Sequence, residues 1–235
     1  MDDRETHTLL LAPTGSGKDT FHLWPTLRWG WTQSTVNLDR QNGEMYDATH
    51  TARAQYGHVE AFAPYRSAMA CFNVGDSIRF GKPEEFRDAV FIGRSLTAPD
   101  KIRHESSAGA HFRELAAVTI AATLLHVGYA TSHTSLPAVW HFLAQHGSFS
   151  DALKEMGTTQ HTSHGVHQAI AEMSGLLGKM GNGDELGSAW STTLRPLLLY
   201  LDPYVAASTD RSAIRIDDLQ YGARPPSLYL SSGVV

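Results

Sequence analysis

The stretch Leu9–Thr20 reads LLLAPTGSGKDT, and it gives the strongest indication of the fold class in this sequence. Three apolar residues, Leu9–Leu11, precede a turn rich in glycine, and a segment compatible with a helix follows. This order of strand, loop and helix is typical of a βα unit. The stretch therefore predicts an α/β domain in which Leu9–Leu11 form one strand of a mostly parallel sheet.

The turn within this stretch carries most of a phosphate-binding loop. Such a loop needs backbone N–H groups that converge on an anion, a lysine for the outer phosphates and a helix that begins behind it. Gly15, Gly17 and Lys18 supply these features, whereas Ala12 and Asp19 stand where the usual pattern has a glycine and a hydroxyl residue. We predict that ATP is bound by Pro13, Thr14, Gly15, Ser16, Gly17, Lys18, Asp19 and Thr20.

Asp19 is the more consequential of the two departures. A hydroxyl at this position ordinarily ligates Mg²⁺, and a carboxylate can also hold that hard cation, but it brings a negative charge close to a triphosphate. At ~4 Å and an effective dielectric constant of roughly 20, the repulsion costs on the order of 4 kcal/mol before Mg²⁺ offsets it. We therefore expect steep Mg²⁺ dependence of ATP binding. In the alternative interpretation, Asp19 only caps a helix and the loop is an ordinary turn.

Three further segments have the composition of strands. Thr35–Asp39 and Val59–Phe62 precede a long helical region, and Ser227–Leu230 follows it. Strands separated by helical spans favour a mostly parallel sheet covered by helices.

From about residue 86 to residue 201 the apolar pattern is helical. The segment Gly181–Gly187 reads GNGDELG and is predicted to be a loop that interrupts this pattern. Helices are predicted over Phe112–Tyr129, Leu136–Gln145, Phe149–Met156 and Ala189–Leu201, and over a segment in which Val166, Ile170, Met173, Leu177 and Met180 recur at steps of three and four.

Composition restricts the class of protein. With 235 residues, of which 42% are hydrophobic and 18% charged, the chain is typical of a soluble globular protein. A single cysteine, Cys71, excludes an internal disulfide and favours a cytoplasmic location. The apolar run Leu115–Ala130 is shorter than the ~18 residues of a membrane span, so we expect a buried core helix and no transmembrane segment. A formal net charge of −5 without a basic block argues against a general duplex-DNA-binding protein.

Two other motifs have a chemical and a structural interpretation. Leu197–Asp202 reads LLLYLD and is similar to an apolar strand that ends in a catalytic acid, but it continues a helical pattern and is predicted to be helical. The spacing of His161, His164 and His167 would turn the third imidazole away on a helix. A solvated helix start is therefore preferred to a zinc site.

The tryptophans Trp24, Trp29 and Trp31 follow the loop closely. Aromatic side chains of this kind stack on bases in proteins that bind single strands. With one arginine between them, packing of these rings against the sheet is the preferred interpretation.

Beyond the loop, the sequence resembles one family, the TraG-like coupling proteins of type IV secretion and conjugal transfer systems. The resemblance extends over nearly the whole chain, and its first and last two pieces are the most specific. The matching stretches are APTGSGKDT at Ala12–Thr20, PTL at Pro25–Leu27, VNLD at Val36–Asp39, HFRELAAVTIAATLLHVGYA at His111–Ala130, LDPYVAASTDRSAIRIDDL at Leu201–Leu219 and RPPSLYL at Arg224–Leu230.

The resemblance implies a RecA-like P-loop nucleotide-binding domain interrupted by an all-helical domain. The nucleotide-binding domain would comprise residues 1–85 and 203–235, and the helical domain residues 86–202. Two acidic residues, Asp39 and Glu44, match the ends of the family's D-x-K-G-E element, although its middle differs here. By position in the family's loop, Gly15, Gly17 and Lys18 would hold the phosphates. Asp19 or Thr20 would lie near Mg²⁺.

Members of this family look like hexameric ATPases at the cytoplasmic face of the inner membrane. They select relaxosome proteins or effector proteins and drive single-stranded DNA toward the secretion channel. The resemblance implies ATP and Mg²⁺ as cofactors, relaxosome or effector partners on the helical domain, and a homo-hexamer in the full-length form. Relatives carry a transmembrane pair before the domain and an acidic catalytic strand after the segment that matches Ser227–Leu230. We therefore expect a fragment that does not hydrolyse ATP alone, with its catalytic residues unknown.

Two other functions stay open. The chain could be a truncated interaction module that no longer binds nucleotide and contacts relaxosome proteins through its helices. A small P-loop kinase is the third option, but the sequence offers no recognisable lid and no substrate-binding arginines.

Overall fold

The computed structural model describes residues 9–30, 33–40, 43–66, 69–98, 107–179, 183–213 and 224–231. The chain forms two compact units. The first, which we call the sheet unit, comprises Met1–Ala63, Ala68–Ala70 and Ile214–Val235. The second, the helical unit, comprises Pro64–Ser67 and Cys71–Ala213, and it extends on both sides of the range 86–202 expected for an all-helical domain.

The sheet unit is built on three parallel strands, β1 (Thr35–Asp39), β2 (Val59–Phe62) and β3 (Ser227–Ser231). They lie in the order β1-β3-β2, so the last strand along the chain occupies the middle of the sheet. β3 pairs in parallel with β1 on one side and with β2 on the other. The three predicted strands at these positions are confirmed, and so is an α/β arrangement with a parallel sheet.

The strand predicted over Leu9–Leu11 is wrong. These residues have irregular backbone, and the β pairings of the described residues do not include them. Leu9 is 81% exposed and Leu11 is 83% exposed. A strand requires a hydrogen-bonding neighbour, and a run of three apolar residues does not specify one.

A helix, α1 (Glu44–Arg53), packs against this sheet. The hydroxyl groups of Thr49 and Tyr229 lie 2.6 Å apart in a hydrogen bond that joins α1 to β3. Arg53, at the end of α1, is fully buried, and its Nε donates to Ser227 Oγ at 2.8 Å. Burial lowers the pKa of the Arg53 guanidinium. These polar contacts fix the helix on the central strand.

The helical unit surrounds one long central helix, α3, which contacts α2, α4, α6 and α7. Two 3₁₀ helices, Val74–Ser77 and Arg195–Leu201, accompany the α-helices of the described residues. Those α-helices are α2 (Glu85–Thr97), α3 (Ser107–Thr131), α4 (Leu136–Ala144), α5 (Phe149–Thr158), α6 (Gln168–Gly178), α7 (Gly183–Leu194) and α8 (Pro203–Thr209). The predicted helices are confirmed as elements, although Met180 lies outside the described residues and residues 195–201 are 3₁₀ rather than α.

α3 is the core of this unit. Its segment Ala108–Thr131 is long and apolar enough to span a membrane by length and composition, and 61% of the most apolar window is buried within the protein. Ile120, Leu124 and Leu125 have no exposed surface at all. The prediction of a buried core helix is confirmed by this burial.

The loop predicted over Gly181–Gly187 is wrong from Gly183 onward, because α7 begins there. Residues 181 and 182 lie outside the described residues. α7 packs against α3. Tertiary packing therefore outweighs the two glycines of the segment that lie within α7, Gly183 and Gly187.

Candidate functional site

The predicted phosphate loop is a turn that contains two left-handed glycines. Gly15 has φ of 78° and Gly17 has φ of 80°, a region that residues with a Cβ rarely adopt. The turn is closed by the Ser16 N–H, which donates to the carbonyl oxygen of Pro13 at 3.3 Å. The two glycines are thus required by the backbone path and not only by space for a ligand.

A helical stretch begins directly behind this turn. Lys18 has helical backbone angles, with φ of −53° and ψ of −37°, and the π-helical segments Asp19–Leu23 and Thr26–Gly30 follow. The N–H of Phe21 donates to the carbonyl oxygen of Gly17 at 2.8 Å. A Cβ at Gly17 would lie 2.6 Å from the Phe21 ring, so a larger residue is excluded there without movement of that ring.

The loop residues are mostly exposed or half-buried. No atom lies within 4 Å of the position that a Cβ on Gly15 would take. Lys18 and Asp19 are half-buried, and Thr20 is exposed. A carboxylate and a hydroxyl in sequence are hard oxygen donors, which is the chemistry that Mg²⁺ prefers. The more exposed residues of the predicted set are Pro13, Thr14, Gly15 and Ser16.

The helical stretch behind the loop is anchored to α1. Leu27 is 5% exposed, and the Arg28 guanidinium donates from Nε to the carbonyl oxygen of Ala48 at 2.7 Å. A second bond runs from Nη2 of Arg28 to the same oxygen. Since α1 is fixed on β3, the stretch that follows the loop is tied to the sheet through α1.

Asp39 and Glu44, the two acidic residues of the second-strand element, have different positions. Asp39 is 1% exposed, and its Oδ2 accepts hydrogen bonds from the backbone N–H groups of Met45 at 2.9 Å and Tyr46 at 3.2 Å. It therefore satisfies backbone donors at the beginning of α1. Glu44 is exposed in the first turn of the same helix.

The tryptophan prediction is only partly met. Trp24 is half-buried, but Trp29 is 69% exposed, so the expected packing of Trp29 against the sheet is wrong. The guanidinium of Arg28 lies 5.9 Å from the centre of the Trp29 ring. Trp31 lies outside the described residues.

The LLLYLD segment is helical, as predicted. Residues 195–201 form a 3₁₀ helix. The Asp202 carboxylate accepts from the N–H groups of Tyr204 at 2.8 Å and Val205 at 3.2 Å, which caps α8. Asp202 thus has a structural role at a helix start.

The histidine motif does not form the expected solvated helix start. His164 is exposed, but His161 is only 8% exposed and its Nε2 lies 2.8 Å from Nδ1 of His126 on α3. His167 directly precedes α6, and its Nε2 lies 2.7 Å from Oε1 of Glu85 on α2. In the described residues, no group of three or more histidine, cysteine or acidic side chains is arranged to hold a metal ion.

The partners His126 and Glu85 were not predicted from the sequence. His126 lies within an apolar helical run. A buried histidine needs a hydrogen-bond partner, but the sequence does not identify which residue that partner is. That partner is 35 positions further along the chain, so no local pattern identifies it.

Comparison with known proteins identifies the family of the chain. A family model described as "Type IV secretory system Conjugative DNA transfer" matches residues 2–231. Two curated proteins from Escherichia coli, each called "Conjugal transfer protein TraG", are 31% and 30% identical to the chain over 232 residues. Each alignment covers 95% of this chain and 35% of the relative, so the chain spans about a third of the relatives' length. The chain therefore belongs to the family of type IV secretory system conjugative DNA transfer proteins.

Proposed function

We propose that the chain is the ATP-binding portion of a conjugative coupling protein, in which the loop Pro13–Thr20 binds the nucleotide phosphates. The observation that carries the proposal is the pair of left-handed glycines, Gly15 and Gly17, directly before the start of a helix at Lys18. The two relatives named conjugal transfer proteins support the cellular process. A RecA-like P-loop fold for the sheet unit is part of this proposal.

The loop would act through its backbone and one side chain. The N–H groups of Gly15 and Gly17 would donate to phosphate oxygens, since a left-handed glycine turn directs N–H groups to one side. The Lys18 ammonium would neutralise the outer phosphates. The positive end of the helix that follows would add to the attraction.

Mg²⁺ would be held beside the phosphates by Asp19 or Thr20. When bound, Mg²⁺ would supply positive charge that neutralises part of the charge of the phosphates. Without it, a carboxylate ~4 Å from a phosphate is repelled by on the order of 4 kcal/mol at an effective dielectric constant of about 20. Asp19 therefore makes affinity for ATP more dependent on Mg²⁺ than a hydroxyl residue would.

Recruitment and transfer would fall to other parts of the assembly. We propose relaxosome proteins or effector proteins as partners of the helical unit, and single-stranded DNA as the transferred substrate. A homo-hexamer at the cytoplasmic face of the inner membrane is the proposed context of the full-length protein. We assign no residue of this chain to hydrolysis, because Asp202 at the end of the LLLYLD segment is engaged in capping α8.

Titration of a fluorescent ATP analogue tests this proposal. With Mg²⁺ present, Lys18→Ala should weaken binding by roughly tenfold to a hundredfold, the worth of a hydrogen bond to a charged group. Lys154→Ala is the matched control, because Lys154 is exposed on α5 in the helical unit. Asp19→Ser should bind the analogue with less dependence on Mg²⁺.

The alternative function is an interaction module without nucleotide binding. Asp19 in the place of a hydroxyl residue and the absence of Leu9–Leu11 from the described strands both favour it. Equal affinity of the original chain and Lys18→Ala for the analogue, or no binding by either, would support this alternative and contradict the proposed ATP site.

A further inference from the structure

The connection between α5 and α6, residues 159–167, is held to the helices around it by two histidines. Nε2 of His161 lies 2.8 Å from Nδ1 of His126 on α3, and Nε2 of His167 lies 2.7 Å from Oε1 of Glu85 on α2. The connection itself turns at Gly165, whose φ is 113° and whose carbonyl oxygen accepts from the N–H of His161 at 3.1 Å.

A backbone donor determines where the proton of His161 resides. The N–H of His167 donates to Nδ1 of His161 at 3.3 Å. Because a backbone N–H can only donate, Nδ1 of His161 is the acceptor and carries no proton. The neutral ring then has its proton on Nε2 and donates it to Nδ1 of His126, which must also be unprotonated.

Neither imidazole can take up a proton without loss of a hydrogen bond. A proton on Nδ1 of His161 would face the N–H of His167, and a proton on Nδ1 of His126 would face the N–H of His161. The two rings are also shielded from water, since His126 is 2% exposed and His161 is 8% exposed. An added proton on either ring would therefore meet a hydrogen-bond donor in a site with little contact with water.

The charged and titratable groups around the pair do not compensate for such a proton. His146, which follows α4, opposes a positive charge on His126, whereas Glu155 on α5 favours it. Nε2 of His146 and Oε2 of Glu155 are 2.9 Å apart, so that carboxylate already has a partner. On the side of His161, His167 opposes a positive charge, and the ring of Tyr129 on α3 lies at 6.4 Å.

Glu85 is the other carboxylate near this connection, and its acceptor positions are occupied. It accepts from the hydroxyl of Tyr129 at 2.6 Å, from the N–H of Gly81 at 2.8 Å and from His167. Burial raises the pKa of Glu85, but the hydrogen bonds together lower it by more than burial raises it. The net result is a pKa below its usual range. Glu85 thus holds His167 and not the buried pair.

We propose that His126 and His161 form a proton-sensitive latch, which holds the α5–α6 connection against α3 when both rings are neutral and releases it when either takes up a proton. The proposal concerns the helical unit alone and does not depend on the proposed nucleotide site.

Electrostatics agrees with this geometry. Burial, reinforced by the neighbouring His161, lowers the pKa of His126 to about 4, and burial together with His167 lowers the pKa of His161. In the unfolded chain a histidine titrates at about 6.5. Between the two values the unfolded chain binds more protons than the folded one. The stabilisation is therefore complete above about pH 6.5 and is lost as the pH falls toward 4.

Urea unfolding of the whole chain at pH 7, 6 and 5 provides the test. His126 should raise the unfolding equilibrium constant by up to about tenfold per pH unit below pH 6, and His161 should add to this rise in the same direction. His126→Gln keeps an oxygen that accepts from His161 but cannot titrate, and His161→Asn keeps an acceptor for the His167 N–H. His126→Gln should remove up to about tenfold per pH unit from this dependence, and His161→Asn should weaken the dependence in the same direction. His164→Gln, an exposed histidine of the same connection, should retain the dependence of the original chain.

The proposal is overturned if His126→Gln and His161→Asn show the same pH dependence as His164→Gln. A second measurement covers the case in which a variant does not fold. In ¹⁵N NMR spectra of the original chain, both buried rings should stay neutral at pH 6, with the His161 proton on Nε2. Ordinary titration of both rings near pH 6.5, or a proton on Nδ1 of His161, would also refute the latch.

Discussion

The proposed phosphate loop and the α5–α6 connection are both short irregular segments that turn at left-handed glycines, but they use their polar groups differently. In the loop, a Cβ on Gly15 would meet no atom within 4 Å apart from its chain neighbours. In the connection, His161 and His167 are directed inward to partners on α3 and α2. An open turn keeps its donors available to a ligand, whereas a closed one uses them to hold helices together. Only the first arrangement is suited to binding.

Replacement of Glu85 should have the largest effect on stability. Glu85→Ala leaves the Tyr129 hydroxyl, the Gly81 N–H and the His167 ring without their acceptor. We expect the free energy of unfolding to fall by about 3 kcal/mol, because several partly buried donors lose their partner at once. Urea denaturation followed by circular dichroism measures this loss.

Glu172→Ala is the control, since Glu172 is exposed on α6 and accepts from Gln168 at 2.8 Å. Its effect should stay within about 0.5 kcal/mol. If both variants lose the same stability, the connection is not the closed network that distinguishes it from the loop.

Asp39 should have an intermediate effect, in the sheet unit that supports the loop. Asp39→Ala removes the acceptor of two N–H groups at the start of α1 and should cost about 1 to 2 kcal/mol of unfolding free energy. Glu44→Ala, at an exposed position of the same helix, should cost less than about 0.5 kcal/mol. Equal losses in thermal or urea unfolding would contradict the capping role of Asp39.

The smallest effect on stability is expected in the loop itself. Gly17→Ala introduces strain at φ of 80° and a contact with the Phe21 ring, so we expect a loss of about 1 kcal/mol. The free energy of binding the ATP analogue should change by more than this loss of stability, because the N–H groups of the loop change direction. Gly175→Ala in α6, where a Cβ meets no atom within 4 Å, should be neutral or slightly stabilising. An unchanged affinity of Gly17→Ala would argue that the loop does not bind phosphate.

The sequence allowed most helices and three strands to be predicted, because each of these elements has a periodic pattern of its own. Thr35–Asp39 and Val59–Phe62 agree with the structure to the residue. The strand predicted over Leu9–Leu11 is wrong for a physical reason. A three-residue run has no measurable period, and a strand forms only where a neighbour accepts its hydrogen bonds.

The candidate loop could be recognised from the sequence because its eight residues are consecutive. The role of Asp39 could not, since a cap depends on where the next helix begins. The histidine pair was missed for a related reason. The spacing of His161, His164 and His167 was interpreted as helical, but Gly165 turns the chain and brings His161 to a residue of another helix. Contacts between distant segments leave no periodic signal.

The middle position of β3 has a consequence for the order in which the protein forms during translation. β1 and β2 are synthesised early, yet they pair with β3 and not with each other. Every residue of the helical unit leaves the ribosome before β3 does. The nascent chain can therefore form the helices of the helical unit first, while β1 and β2 still lack the strand with which they pair. The helical stretch behind the loop is bonded to α1, and α1 can form its hydrogen bonds to the central strand only after Ser227 and Tyr229 have been synthesised.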